Sequence, residues 1–108
     1  MMAVLGEATF TPINTALGDT TLVVAQAAGV KIRVLGFMIA PAAAAVVSLQ
    51  SGTGGTNLTG AMTTGGKPIW IDGWSGFGVM ETAAATLLNL HQTGVVQLSG
   101  WLVWAPAS

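Results

Sequence analysis

Residues 95–104 read Val-Val-Gln-Leu-Ser-Gly-Trp-Leu-Val-Trp, and this stretch has the clearest strand pattern in the chain. Polar Gln97 and Ser99 alternate there with apolar residues such as Leu98 and Leu102. Successive side chains of a strand point to opposite faces, so this period of two predicts a strand with one buried face.

Residues 31–39, Lys-Ile-Arg-Val-Leu-Gly-Phe-Met-Ile, show the same period. Lys31 and Arg33 fall on one face of the predicted strand. The other face is predicted to carry Ile32, Val34 and Met38. This pattern again indicates a strand with one apolar side.

Short runs rich in Val, Ile, Leu, Thr and Trp fill the rest of the chain, separated by 15 glycines and four prolines. Breaks every 8 to 12 residues are typical of sandwiches and barrels. The candidate strands are 8–11, 20–26, 31–40, 45–50, 56–62, 67–71, 77–81, 86–90 and 95–104. We predict one all-β domain over residues 1–108, a jelly-roll-like antiparallel sandwich of two sheets and about eight strands, with an immunoglobulin-like sandwich as the alternative. Residues 1–18 have a weaker pattern and are a candidate N-terminal arm that contacts neighbours.

The charged fraction of the chain is low. Charged residues make up 6% of the sequence, against about 25% in an ordinary soluble domain, while 52% of the residues are hydrophobic. A folded monomer of this size exposes roughly 5,600 Å², which leaves about one charge for each 800 Å². Exposed apolar area drives association, so we expect other copies of the chain or a scaffold to cover much of this surface.

The composition also argues against several classes of partner. Three Lys and Arg residues with a net charge of −1 are too few for the phosphate contacts of a typical DNA binder, so no nucleic-acid partner is expected. Because cysteine is absent, disulfides and thiol chemistry are excluded.

The longest uncharged apolar run, residues 34–47, has 14 residues, whereas a membrane-spanning helix needs about 20. No basic segment precedes the apolar N-terminal residues, so neither membrane insertion nor secretion is expected.

Side chains suited to catalysis are scarce. His91 is the sole histidine, and the sequence indicates no serine or carboxylate that would join it in a triad. The four carboxylates lack the spacings of a metal site. A glycosidase pair of Asp72 and Glu81 is geometrically open, but Asp72 precedes Gly73 and is more simply a turn residue. We expect no enzyme activity, no catalytic residue, no metal and no cofactor.

The four tryptophans carry the strongest indication of a contact surface. Trp101 and Trp104 lie three residues apart, so a strand directs them to opposite faces. For Trp70 and Trp101, core filling and surface contact are equally weighted. Trp74 and Trp104 are expected at subunit contacts, with sugar stacking as the lesser alternative. Phe77, close to Trp74 in a glycine-rich loop, is assigned to the same interface.

Lys31 and Arg33 form the one positive cluster and are also assigned to the candidate interface. They either guard an edge strand against stray pairing or meet Glu7 or Asp19 of another subunit. The sequence alone does not separate these two roles.

The order of several short motifs resembles small structural proteins of tailed bacteriophages. The motifs are Ile32-Arg-Val-Leu, Val47-Ser-Leu-Gln-Ser-Gly-Thr53, Asn57-Leu-Thr-Gly-Ala-Met62, Glu81-Thr-Ala-Ala-Ala, Leu88-Asn-Leu90 and Val95-Val-Gln-Leu-Ser-Gly-Trp-Leu-Val103. The matching stretch covers about residues 31–104, and the signal lies in the order of the motifs because each is short. The segment 73–79, Gly-Trp-Ser-Gly-Phe-Gly-Val, looks longer than the corresponding turn of the family and is a candidate contact loop.

This resemblance implies a jelly-roll-like domain of the virion, above all a capsid decoration (cement) protein, with tail or fibre modules as the alternative. Cement proteins of this type are typically trimers over threefold or quasi-threefold positions of the shell, where they hold adjacent capsomers together. The resemblance therefore implies a homo-oligomer, most simply a trimer, with the major capsid protein as its partner. It also implies synthesis in the host bacterial cytoplasm and a final place on the capsid surface. No catalytic residue is implied.

Overall fold

The computed structural model describes residues 7–72 and 79–108. Trp74 and Phe77, two of the predicted interface residues, lie outside these ranges, as does the candidate contact loop apart from Val79. Within the described ranges the chain is all-β, with 57% strand and no helix. Accordingly, this part of the chain contains no helix of the length and hydropathy needed to cross a membrane.

In the described residues, ten strands form two antiparallel sheets that pack face to face. The strands are β1 (Thr9–Thr15), β2 (Asp19–Val23), β3 (Lys31–Pro41), β4 (Val46–Ser51), β5 (Thr56–Asn57), β6 (Met62–Thr63), β7 (Ile69–Asp72), β8 (Met80–Glu81), β9 (Leu88–Thr93) and β10 (Leu98–Ala107). The first sheet has the order β1–β10–β3–β7, with β8 also paired to β3. The second has the order β2–β9–β4–β5, with β6 also paired to β4.

The strand order is that of a jelly roll. The short strands β5 and β6 both pair with β4 and together occupy one position beside it. In the same way, β7 and β8 share one position beside β3. The ten strands therefore fill eight positions, four in each sheet. The first strand pairs with the last, and most connections pass from one sheet to the other. The predicted jelly-roll-like sandwich is therefore confirmed. The immunoglobulin-like alternative is wrong, because its first two strands share a sheet whereas β1 and β2 lie in different sheets.

Apolar side chains from both sheets fill the space between them. The largest fully buried apolar residues are Ile32, Val34, Phe37, Ile39, Val47, Leu49, Leu88, Leu90, Leu98 and Leu102. At roughly 25 cal/mol per Å² of buried apolar surface, this core is the main source of stability. The accessible surface of the chain is 5540 Å², in agreement with the size-scaling value used above.

A bulge in β3 changes which residues face the core. Val103 pairs with Gly36 while Trp104 pairs with Val34, so Leu35 is an extra residue on β3. An extra residue reverses the alternation beyond it. Phe37 and Ile39 are consequently the buried residues of the second half. The predicted core position of Met38 is wrong, because the bulge turns it to the outer face.

Two other boundaries differ from the sequence-based expectation. Residues 9–15, within the candidate arm, form β1 and pair along their whole length with β10 of the same chain. β10 begins at Leu98 rather than near Val95, because the side chain of Gln92 holds the preceding loop. Its Oε1 accepts from the Val96 amide at 3.0 Å, and its Nε2 donates to the Val96 and Leu17 carbonyls at 2.9 Å each.

Candidate functional site

A row of apolar side chains crosses the outer face of the sheet β1–β10–β3–β7. Pairing places Pro12 opposite Trp101, Trp101 opposite Met38, and Met38 opposite Trp70. Residues directly opposed in an antiparallel pair point to the same face, and the adjacent row adds two further apolar residues. We call this surface the outer apolar face, consisting of Phe10, Pro12, Met38, Trp70, Trp101 and Val103.

Two aromatic rings dominate the exposed part of the outer apolar face. Phe10 is 62% exposed on β1, and Trp70 is 68% exposed on β7. Met38 and Trp101 lie between them and are half-buried. Scattered apolar residues on a surface are ordinary, but a contiguous apolar patch marks an interaction site. The geometry therefore supports a docking surface on this sheet.

The rings of Phe10 and Trp101 stack on this face, with centroids 6.4 Å apart and planes inclined by 27°. An offset pair at this distance fixes both rings and presents them as one apolar unit. Of the two roles weighed for Trp70 and Trp101, core filling is thus wrong for Trp70, which is 68% exposed. Trp101 is half-buried and belongs to the outer apolar face.

Trp104 occupies a different environment from the exposed rings. It is half-buried and packs against the core between the sheets. Its indole Nε1–H donates to Thr11 Oγ1 at 3.0 Å. These contacts explain Trp104 within its own domain, so its role at a subunit contact stays a prediction. Trp70 and Phe10 are more accessible to a partner.

Lys31 and Arg33 meet a carboxylate of their own chain. Arg33 Nε donates to Glu81 Oε2 at 3.0 Å, and Lys31 Nζ donates to Glu81 Oε1 at 3.3 Å. The hydrogen bond from Arg33 lowers the pKa of Glu81 below its ordinary value; partial burial opposes this shift and Lys31 adds to it. β3 lies between β10 and the pair β7 and β8, so the edge-strand alternative for these two cations is wrong. The interface role of these two cations stays a prediction.

The outer face of the other sheet is polar. Asn89 Nδ2 donates to Asp19 Oδ1 and to Gln50 Oε1, both at 2.9 Å, and Gln50 Nε2 donates to Asn57 Oδ1 at 3.0 Å. His91 Nδ1 lies 2.9 Å from Asp19 Oδ1. The hydrogen bonds from Asn89 and His91 lower the pKa of Asp19. This row of side chains ties four strands together.

The Asp19–His91 pair has the geometry of an oriented imidazole, which raises the question of catalysis. Ser48 lies directly opposite His91, but it is only 5% exposed. The hydrogen bonds of the described residues do not join Ser48 to His91, so the nucleophile–base contact of a triad is missing there. Within the same ranges, no group of three or more His, Asp or Glu side chains is placed to hold a metal ion.

Sequence reasoning missed Phe10, Pro12 and Met38 as surface residues. The alternation of Thr9–Thr15, Thr-Phe-Thr-Pro-Ile-Asn-Thr, does place Phe10 and Pro12 on one face, and this signal was available. The outward position of Met38 depends on the bulge, and the contact of Asp19 with His91 joins residues 72 positions apart. Neither of these has a local sequence signal.

Comparison with known proteins leaves the geometry as the main guide to function. No protein-family model matches the chain, and no curated protein is significantly similar to it.

Proposed function

We propose that this protein is a non-enzymatic structural protein of a tailed-bacteriophage virion, most simply a capsid decoration protein that binds the assembled head as a homo-oligomer and stabilises it. The single observation that carries the proposal is the outer apolar face, whose two large rings are exposed at the edges of one sheet and favour a role as a subunit of an assembly. The trimeric state, the major capsid protein as partner and the capsid surface as location rest on the resemblance of the sequence motifs.

The charges of the chain support a role in an assembly. With only 6% charged residues, a partner can cover large parts of the surface without removing many ions from water. The cations that lie nearest to the outer apolar face along β3, Lys31 and Arg33, are already neutralised in part by Glu81. Docking on this face would therefore leave these two cations paired with Glu81 rather than isolated.

Stabilisation of a shell would follow from mass action. A protein that binds only the assembled form lowers its free energy by RT ln(1 + [L]/Kd) at each site, about 2.7 kcal/mol at 100 times Kd. An oligomer that contacts several capsomers at once also gains from the high effective concentration of its linked contacts. Many modest interfaces would in this way reinforce the head against the pressure of its DNA.

The test is reconstitution on heads that lack the protein. We expect the added chain to sediment with assembled heads, to saturate at many copies spread over the shell, and to raise the temperature at which the heads release DNA. It should not sediment with unassembled capsid protein. Absence of binding to heads would contradict the proposal, and saturation at a few copies located on the tail or fibres would assign the chain to the alternative structural role.

A second candidate, a carbohydrate-binding module, is favoured by one observation. Trp70 and Phe10 are exposed rings on one sheet face, and such rings stack on sugars. Trp104 is less suited to this role than the sequence indicated, because it packs against the core. Binding to a glycan array that is lost in Trp70→Ala, together with quenching of tryptophan fluorescence by the same sugar, would favour this candidate over the structural role.

A further inference from the structure

We propose that copies of this chain associate through the outer apolar face, with Trp70 of one copy packed against the Phe10–Trp101 stack of the next. The inference rests on the proposed function, because it names the contact between copies in the homo-oligomer. It concerns the free protein, so it can be tested without heads.

The area of the face is sufficient for a weak interface. Four strands at about 4.8 Å spacing and a seven-residue length of about 23 Å give roughly 400 Å² in projection, before the relief of the side chains is added. Phe10 and Trp70, each about two-thirds exposed, contribute roughly 250 Å² of apolar surface. Stable partners bury about 800 Å² each, and transient ones bury less than about 600 Å² each. We therefore expect a reversible contact that depends on concentration.

The two exposed rings of the face, Phe10 and Trp70, lie at opposite edges of the sheet. Phe10 is on β1, Trp70 is on β7, and β10 and β3 lie between these strands. Three strand spacings put Phe10 about 14 Å from Trp70, and two spacings put Trp101 about 10 Å from it. Met38 lies between Trp101 and Trp70, so Trp70 stands apart from the stack of its own chain. The stack is the one ring–ring contact within residues 7–72 and 79–108. A second copy brings Trp70 to such a stack.

This arrangement is compatible with a closed assembly. When two copies meet face to face about a two-fold axis, each gives its Trp70 to the other. When the contact runs head to tail, Trp70 of each copy meets the Phe10–Trp101 stack of the next, and a ring forms if the rotation between neighbours brings the last copy back to the first. Both arrangements cover the two exposed rings of every copy.

The polar groups beside the face favour a protein partner over a sugar. A sugar site needs several free polar groups that converge around the aromatic ring. The polar residues in the next row are Asn14 and Ser99, which lie opposite each other. Asn14 Oδ1 already accepts from Gln97 Nε2 at 2.7 Å. Pro12, Met38 and Val103 stand in the same rows as the rings, and these apolar neighbours suit another apolar surface.

The test compares two single variants, Trp70→Ala and Phe10→Ala, alone and mixed, by sedimentation equilibrium over a wide concentration range. Each substitution removes an exposed ring, so the fold should be retained, and circular dichroism checks this. Alone, each variant should associate roughly 10- to 30-fold more weakly than the native chain. The mixture should associate more tightly than either variant, because a mixed pair keeps one intact contact of Trp70 with Phe10. Val24→Ala is the matched control, since Val24 is 69% exposed but lies after β2 of the other sheet.

Several results would overturn the inference. These are a native chain that is monomeric at every concentration, variants that associate as tightly as the native chain, or a mixture no tighter than its components. If the native chain forms oligomers and the variants form the same oligomers, the proposed contact is wrong. That result does not affect head binding, which the reconstitution experiment tests separately. If the variants behave as expected and the native chain still does not bind heads, the virion role fails and the contact stands.

Discussion

At the scale of single residues, Gly100 fixes the close approach of the two central strands. Its φ of +145° is strained for any residue with a side chain, and an added Cβ would meet the Met38 carbonyl oxygen at 1.9 Å. Met38 and Trp101 face each other beside this point. Gly100 therefore positions the middle of the outer apolar face as well as the core.

Gly100→Ala should lower the free energy of unfolding by about 3 kcal/mol or more, because backbone on β3 must move away and the strained φ is retained. Urea unfolding monitored by tryptophan fluorescence measures the change. Gly60→Ala is the control, since nothing lies within 4 Å of a Cβ placed there. Equal stability of the two variants would contradict this account of the β3–β10 contact.

Single residues also show where sequence reasoning ends. The alternation of Leu98 with Ser99 was enough to predict the strand and its buried side. The contacts of Asn89 and His91 with Asp19 could not be predicted, because they join positions that are distant in sequence and near only after the two strands pair. The exposure of Trp70 could not be predicted either, because its local sequence fits a core strand and a surface strand equally well.

At the scale of elements, the sequence predicts that β3 is a strand but not that it contains a bulge. The period of two in residues 31–39 predicts a strand correctly, and Ile32 and Val34 are buried as expected. The bulge at Leu35 leaves no mark in the hydrophobic pattern, because Leu35 is itself apolar. The bulge reverses the alternation of inward and outward side chains in the second half of β3. Met38 therefore points outward and forms the centre of the outer apolar face.

The two-residue strand β8 is held to β3 in part by the ion pairs of Glu81. The pKa of Glu81 is lower in the folded chain than its ordinary value of 4.5, so the carboxylate stabilises the fold above about pH 4.5. That contribution is lost as the pH falls through the lower, folded pKa. The free energy of unfolding should therefore drop in acid, and Glu81→Gln should show a smaller drop over the same range.

Asp19 titrates in the same region, since its pKa is also lowered in the folded chain. Asp19→Asn is therefore the matched variant: it should reduce the acid sensitivity separately, and the double variant should be the least sensitive. Urea unfolding between pH 3 and 7 measures all four proteins. An unchanged pH dependence in Glu81→Gln would show that the pair with Arg33 and Lys31 does not stabilise β8.

At the scale of the whole molecule, the fold class followed from the sequence and the site did not. Strand spacing and turn residues led to the jelly roll, which the strand order confirms. Low charge predicted a contact surface somewhere, because seven ionised groups cannot cover 5540 Å². Its position on one sheet depends on cross-strand pairs such as Met38 with Trp70, and such pairs exist only in the folded chain.

The central claim is that the native protein is a subunit, with the outer apolar face as its contact. Light scattering coupled to size-exclusion chromatography, run at increasing loads up to high micromolar concentration, measures this directly. We predict that the mass rises with concentration toward a whole multiple of 10.9 kDa. A constant mass of 10.9 kDa at every load would contradict the account.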